Sequence, residues 1–209
     1  MSCDGHVRAR GVTLGEEDIE LINWLGQKNE HSTIFASFST MYFLSEEEIE
    51  EIAFGLELSH ENFIWALRSP PGEERKLEQI LPEGFLERVQ DRGRIVQGGV
   101  RQAMILGHPS LGGFLSHCGW NSLSKGIEFG VPIVAMPMTF EQPINARVLV
   151  ENSVAIEITR DENGRLKREE IVKVINNVVT GCAGEPLRQK MKDLRKQIKS
   201  SEKENLDGF

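Results

Sequence analysis

A short polar run at positions 117–122, His-Cys-Gly-Trp-Asn-Ser, has the residue types that bind an anion. His117 brings a ring nitrogen, and Asn121 and Ser122 bring side-chain donors. Gly119 lets the backbone approach a ligand closely. A helix beginning here would add unpaired amide groups and the positive end of its dipole. The run predicts an anion-binding turn; the alternative is that His117 is a structural residue at the end of a strand.

Two other polar groups have the chemistry to share that ligand. Glu141 and Gln142 follow the apolar run 131–136, and a carboxylate beside an amide suits the hydroxyl groups of a sugar. The alternative for Glu141 is an acid that complements a helix dipole. Ser39 and Thr40 follow the run 33–38, and their hydroxyls suit a phosphate oxygen, although an isolated pair of this kind is more often a polar turn with a helix cap.

No metal or dinucleotide site is predicted. His108, His117 and Cys118 lack a recognised zinc spacing. The sequence also has neither G-x-G-x-x-G opening a helix nor G-x-x-x-x-G-K-[ST], which lowers the odds of an NAD-type or ATP-type domain. Residue types and spacing alone therefore lead to an anion-binding domain of the α/β class.

The elements that must position these residues alternate along the chain. Apolar β-rich runs predict strands at 33–38, 62–67, 94–96, 113–116, 131–136 and 154–158. Helical periodicity predicts helices at 16–26, from Ser45 onward, and at 122–129, 142–151, 168–179 and 185–200. Alternation of this kind predicts a Rossmann-like, doubly wound parallel sheet, in which ligands bind beyond the carboxyl ends of the strands. All three polar groups fall there.

Some details of these elements are also predicted. Ser45 and Glu48 form a capping box, and the apolar face that follows comprises Ile49, Ile52, Ala53 and Leu56. The last helix carries a stripe of Leu187, Met191, Leu194 and Ile198. Residues 69–82 are rich in Pro, Gly and charge and predict a surface loop. Residues 1–15 predict a linker or ragged end before a single domain at 16–209.

The composition of the chain limits which classes of partner and which cellular compartment are expected. The chain has 209 residues and a net charge of −8, which disfavours nucleic acid as a partner. Three cysteines do not make a disulfide framework and favour a reducing compartment. The sequence has no apolar run long enough to span a membrane and no apolar signal core, so the cytoplasm is the expected location.

The stretch from Gly99 to Gln142 resembles the secondary product glycosyltransferase box of plant UDP-dependent glycosyltransferases of family 1. The residues that carry the resemblance are Gln102, Leu106, His108, Phe114, the run 117–122, Gly130, Val131, Pro132, Pro137 and Gln142. The likeness extends over nearly the whole chain after residue 16. It is strongest to the branch that adds a sugar to the sugar of a triterpenoid or flavonoid glycoside, such as the ginsenoside glycosyltransferases.

The resemblance implies one half of a GT-B fold, the half that binds a UDP-sugar, with UDP-glucose as the expected donor. It implies a binding role for ten residues. Val100 and Gln102 are expected to meet the uracil and ribose, and Trp120, Glu141 and Gln142 the sugar. The diphosphate is expected to be held by Thr40, His117, Asn121 and Ser122, with Gly119 in the same turn. The implied reaction is an inverting transfer to a small-molecule glycoside, without a metal or other cofactor.

The resemblance also implies what this chain leaves to another part of the enzyme. The catalytic base of the family lies in an N-terminal acceptor domain, which is expected to be absent here, so no catalytic residue is assigned. A full-length relative is a possible partner.

Four positions depart from the family pattern. Gly99 stands where a Trp stacks on uracil, and losing that stack removes about 1–3 kcal/mol of binding. Lys125 stands where a Glu accepts the ribose hydroxyls, and a cation accepts no hydrogen bonds; the alternative for Lys125 is an approach to a phosphate. Arg101 replaces a Pro, and Ser39 replaces a Gly. These departures leave open the alternative of a catalytically silent, truncated paralogue with weak or no UDP binding.

Overall fold

Six parallel strands form one sheet within the described part of the chain. The computed structural model describes residues 15–38, 42–70, 72 and 75–207, so Ser39, Thr40 and the predicted linker up to residue 14 lie outside the described residues. The strands are β1 (Thr33–Ser37), β2 (Asn62–Leu67), β3 (Gly93–Gln97), β4 (Leu111–Ser116), β5 (Ile133–Ala135) and β6 (Ala155–Glu157). They lie in the order β3-β2-β1-β4-β5-β6, and each neighbouring pair is parallel.

Helices connect these strands and cover both faces of the sheet. The helices in the described ranges are α1 (Glu16–Leu25), α2 (Glu46–Leu58), α3 (Leu77–Ile80), α4 (Phe85–Val89), α5 (Gln102–Leu106), α6 (Trp120–Phe129), α7 (Gln142–Glu151), α8 (Arg168–Val179) and α9 (Gly184–Asp207). The Rossmann-like, doubly wound α/β fold predicted from the sequence is confirmed. None of these helices is both long enough and apolar enough to cross a membrane.

Every residue of β1 is buried, because this strand lies in the middle of a sheet covered on both sides. Successive side chains of a strand point to opposite faces. Ile34 accordingly belongs to the core shared with α2 and α8, and Phe35 belongs to the core shared with α1 and α6. The Phe35 ring stacks on Phe114 of β4, with ring centroids 5.1 Å apart.

The sequence signals around α2 are confirmed. The Glu48 amide donates to the Ser45 hydroxyl at 3.2 Å, and the Ser45 amide donates to the Glu48 carboxylate at 3.1 Å, which closes the predicted capping box. The predicted apolar face of α2 is buried. A Cβ at Gly55 would lie 2.5 Å from Ile171 of α8, so this glycine permits the close approach of the two helices.

Several predicted boundaries are wrong. The predicted surface loop at 69–82 contains α3, and the short helices α4 and α5 were not predicted. Helix α6 begins at Trp120 rather than Ser122, and β5 and β6 are three residues long, shorter than the runs that predicted them. Ile198 is 40% exposed, so the predicted apolar stripe of α9 is buried only in its first half.

The strand order identifies the edge at which a ligand binds. The chain winds outward from β1 through β2 to β3, then returns to β4 and winds the other way through β5 to β6. The crevice beyond the carboxyl ends of strands, at the point where this order reverses, is the usual ligand site of open α/β sheets. That point lies between β1 and β4, and β4 ends directly before His117.

Candidate functional site

One cavity of about 650 Å³ lies at this edge of the sheet. It brings together nine of the ten residues predicted to bind the donor, with the tenth, Thr40, outside the described residues. The nine are Val100, Gln102, His117, Gly119, Trp120, Asn121, Ser122, Glu141 and Gln142. They come from the segments that follow β3, β4 and β5, so residues distant in sequence share one concave surface.

The N-terminus of α6 opens into this cavity. Gly119 is the N-cap, and the first turn carries no acidic residue, unlike the first turns of α1, α2 and α8. The amides of Trp120 and Asn121 have no acceptor among the described residues, whereas the Ser122 amide donates to the Gly119 carbonyl at 3.0 Å. Free amides at the positive end of a helix dipole are suited to an anion.

Gly119 is needed because of the ring beside it. A Cβ at this position would lie 2.4 Å from His117 Nε2, a separation that atoms do not tolerate. The backbone of Gly119 itself has φ −70°, which any residue adopts. The left-handed residue of the turn is Cys118, with φ 64°. The glycine therefore makes room for the imidazole, a role that the sequence pattern alone did not indicate.

His117 presents a neutral ring to the cavity. It is 8% exposed, and its Nδ1 is buried without a hydrogen bond of good geometry in the described part of the chain. Burial lowers the pKa of His117, and the Ser37 backbone and the Glu141 carboxylate oppose that shift without reversing it. A neutral imidazole donates through one nitrogen and accepts through the other, so it can donate to a phosphate oxygen near neutral pH.

The turn between β4 and α6 is held from both sides. The Cys118 amide donates to the Ser116 hydroxyl at 3.2 Å, and the Asn145 side chain of α7 donates to the Cys118 carbonyl at 3.0 Å. Burial raises the pKa of the Cys118 thiol to about 12, so this cysteine stays protonated and serves as a core residue. The turn is thus fixed before any ligand arrives.

Gln142 uses one end of its amide to hold a loop. Its Oε1 accepts hydrogen bonds from the amides of Met138 (2.9 Å) and Thr139 (3.1 Å), and its side chain is buried. The Nε2 has no acceptor among the residues described. Beside it, Glu141 is exposed and is the only carboxylate lining the cavity within the described ranges.

Two of the departures from the family pattern have structural consequences at the other end of the cavity. The Lys125 ammonium donates to Gln102 Oε1 at 3.2 Å, and Gln102 Nε2 donates to the Ser37 hydroxyl at 3.1 Å, so the Gln102 amide is engaged on both sides. Arg101 is directed elsewhere, since its guanidinium pairs with Asp18 of α1 at 3.0 Å. Lys125 therefore lines the cavity and Arg101 does not.

Three lining residues were missed by the prediction: Phe38, Arg68 and Phe140. Arg68 directly follows the predicted strand 62–67, so the rule that ligands meet the carboxyl ends of strands places it at the right edge of the sheet but does not single it out. Phe140 precedes the predicted pair Glu141 and Gln142, and it is 80% exposed. A single exposed aromatic side chain is ordinary on a protein surface, so exposure alone assigns no role to Phe140.

The described residues contain no cluster of three His, Cys, Asp or Glu side chains arranged to hold a metal ion. His108, one member of the set considered from the sequence, instead makes a 2.9 Å hydrogen bond with the Ser110 hydroxyl.

The sequence and the fold both match known proteins. Residues 13–182 match the family model described as UDP-glucoronosyl and UDP-glucosyl transferase. A beta-D-glucosyl crocetin beta-1,6-glucosyltransferase from Gardenia jasminoides is 51% identical over 193 residues, which cover 92% of this chain and 44% of the relative. UDP-glucosyltransferase 29 from Panax ginseng is 47% identical over 188 residues, which cover 90% of this chain and 42% of the relative.

A solved structure agrees with these relatives. The structure of Phytolacca americana UGT2 complexed with UDP-2fluoro-glucose and pterostilbene superposes with a TM-score of 0.78 at 37% identity, covering 85% of this chain and 39% of that one. The chain therefore spans well under half the length of the relatives it matches.

Proposed function

Because the chain belongs to the family of UDP-glucoronosyl and UDP-glucosyl transferases, we propose that its cavity binds a UDP-sugar, with UDP-glucose as the donor. The observation that carries this proposal is the shared cavity, into which the free amides of α6 open beside His117. A diphosphate is the part of the donor that such a helix end attracts.

The order of the lining residues along the sheet supports an order of donor groups. The anion-binding turn follows β4, near the middle of the sheet, while Val100 and Gln102 follow β3 on one side. Glu141 and Gln142 follow β5 on the other side, where a carboxylate and a free amide group suit sugar hydroxyls. We assign the nucleoside to the β3 side and the sugar to the β5 side, with the diphosphate between them.

In the whole protein, the proposed reaction is transfer of the sugar with inversion to a hydroxyl of a plant glycoside of the triterpenoid or flavonoid type. The acceptor oxygen bonds to the anomeric carbon as the bond from that carbon to the phosphate oxygen breaks, and a base takes the hydroxyl proton. The α6 amides and the neutral His117 stabilise the charge that develops on the leaving UDP. No residue of this chain is assigned as the base, and no metal is assigned to the reaction.

A second candidate, a catalytically silent protein with weak UDP binding, is favoured by one observation. Lys125 donates a hydrogen bond to the side-chain carbonyl of Gln102, and among the described residues Glu141 is the one carboxylate that lines the cavity. The β3 side therefore lacks an acidic acceptor for ribose hydroxyls. This arrangement weakens recognition of a ribose without affecting the diphosphate turn.

Titration calorimetry of the chain with UDP and UDP-glucose tests donor binding. We expect both ligands to bind with 1:1 stoichiometry, and Gly99→Trp with Lys125→Glu to bind UDP more tightly by about tenfold, since one base stack contributes about 1–3 kcal/mol. Absence of UDP binding in both proteins would refute the proposed function.

Release of UDP from UDP-glucose in the presence of a flavonoid or triterpenoid glycoside separates the enzyme from the silent candidate. The assay compares this chain with a longer protein, in which this chain is joined to a segment that corresponds to the part of the relatives it does not cover. Binding without transfer in both would support the silent candidate, while transfer by the longer protein would support the enzyme.

A further inference from the structure

Arg68 is a cavity residue that the diphosphate turn does not explain. It directly follows β2, lines the cavity and is half-buried. No hydrogen bond or ion pair joins its side chain to any residue within the described ranges, and its Nε is buried without an acceptor. A guanidinium with no partner among the described residues is unusual in a chain that carries a net charge of −8, because carboxylates are abundant partners.

The position of the guanidinium shows which end of the cavity it reaches. Its Nη2 lies 3.8 Å from the place where a Cβ of Gly99 would be, in the segment that follows β3. The anion-binding turn follows β4, two strands away from β2, which is roughly 10 Å at the usual strand spacing. The side chain thus extends toward the β3 side of the cavity and away from the diphosphate turn.

The neighbourhood of Arg68 has room for a flat group. A Cβ at Gly98 would meet no atom within 4 Å, and at Gly99 it would meet only Arg68 itself. Val100 adds an apolar surface to the same end of the cavity. A planar guanidinium beside Gly99, with open space at Gly98 and an apolar neighbour in Val100, matches the face and the polar edge of a nucleobase, since guanidinium planes stack on such rings.

We propose that Arg68 is the residue that holds the nucleobase of the donor, packing its guanidinium against the base at the end of the cavity beside Gly99 and Val100. This assignment rests on the proposed function, because it takes the ligand to be a nucleoside diphosphate with its phosphates on α6. It gives this chain a base contact where Gly99 provides no side chain.

Titration calorimetry of the full chain with UDP and with inorganic pyrophosphate tests the assignment. We expect Arg68→Ala to weaken UDP binding roughly tenfold, the size of a desolvated guanidinium contact with a ring, and to change pyrophosphate binding less than twofold. Arg68→Lys keeps the charge and the apolar stem but loses the plane, so it should lose most of the same affinity.

The matched control is Arg165→Ala, which removes an exposed arginine that does not line the cavity and should change neither affinity. If Arg68→Ala fails to fold, Arg68→Lys decides the question alone. Equal losses of UDP and pyrophosphate affinity in Arg68→Ala would assign Arg68 to the phosphates and overturn the inference. Unchanged UDP affinity in Arg68→Lys would also overturn it. So would a wild type that binds UDP no better than pyrophosphate. A wild type that binds neither ligand overturns the proposed function as well.

Discussion

Gly119 leaves the space that the His117 imidazole occupies in the turn at positions 117–122. Gly119→Ala places a methyl group 2.4 Å from His117 Nε2, so the imidazole or the start of α6 must shift. We expect the free energy of unfolding to fall by about 1–3 kcal/mol, the usual cost of overpacking, and UDP affinity to fall with it. Urea unfolding measures the first effect and calorimetry the second.

Gly99→Ala is the control for stability, because the new methyl group would meet no described atom closer than 3.8 Å. We expect its urea midpoint to stay within the range of surface substitutions, about 0.5 kcal/mol. A Gly119→Ala protein as stable as Gly99→Ala would contradict the view that the glycine is there to accommodate His117.

Residue types in the sequence predicted which positions share the cavity, but not how their side chains are used. The run 117–122 and the pair Glu141 and Gln142 follow predicted strands, and this was sufficient to bring them to one edge. The bond from Lys125 to Gln102 depends on the packing of α6 beside α5, which residue types do not encode. Arg68 was missed because an arginine after a strand is ordinary until its lack of a partner is seen.

We expect helix α6 to contribute to binding as an element, through the amides of its first turn that have no acceptor among the described residues. Asn121→Asp puts a carboxylate in the first turn, where acids stabilise a helix by about 0.3–1 kcal/mol. The same carboxylate lines the cavity and repels a diphosphate. At a separation of a few ångströms between the two groups, this repulsion costs more than about 1.4 kcal/mol of binding free energy. We therefore expect a higher melting temperature without ligand and at least about tenfold weaker UDP binding.

Ser124→Asp is the matched control for this prediction. Ser124 is exposed, lies one turn further along α6 and does not line the cavity. It should change UDP affinity by less than about twofold, because its carboxylate lies outside the cavity and solvent screens the longer separation from the diphosphate. Equal affinities for Asn121→Asp and the wild type would show that the ligand does not lie at the start of this helix.

Elements with a strong periodic signal were predicted from the sequence, and short ones were not. Helix α2 carries a capping box and four apolar positions at helical spacing, and both features are present. Helices α3, α4 and α5 have four or five residues each, too few to show a period, and such short helices depend on tertiary contacts for their stability. Strand β5 is shorter than its apolar run because its pairing with β6 involves three residues.

At the scale of the whole molecule, the cavity joins the two halves of the sheet. Its walls come from the segments after β2 and β3 on one side of the reversal point and after β4 and β5 on the other. This placement could be predicted from the alternation of strands and helices, because parallel strands expose all their carboxyl ends at one edge. A ligand bound there contacts both halves at once, so binding is linked to unfolding of the entire sheet.

Thermal unfolding with and without UDP therefore measures the whole molecule's response to its ligand. A ligand that binds only the folded state at 100 times its dissociation constant adds about 2.7 kcal/mol of stability. For a chain of this length we expect the melting temperature to rise by roughly 5–10 °C in a single transition. Inorganic phosphate at the same concentration should give a much smaller rise, because it reaches the α6 turn but not the segments after β2 and β3. A melting temperature that rises no more with UDP than with phosphate would contradict a nucleotide bound across the centre of the sheet. Two separate transitions, of which only one shifts with UDP, would contradict it as well.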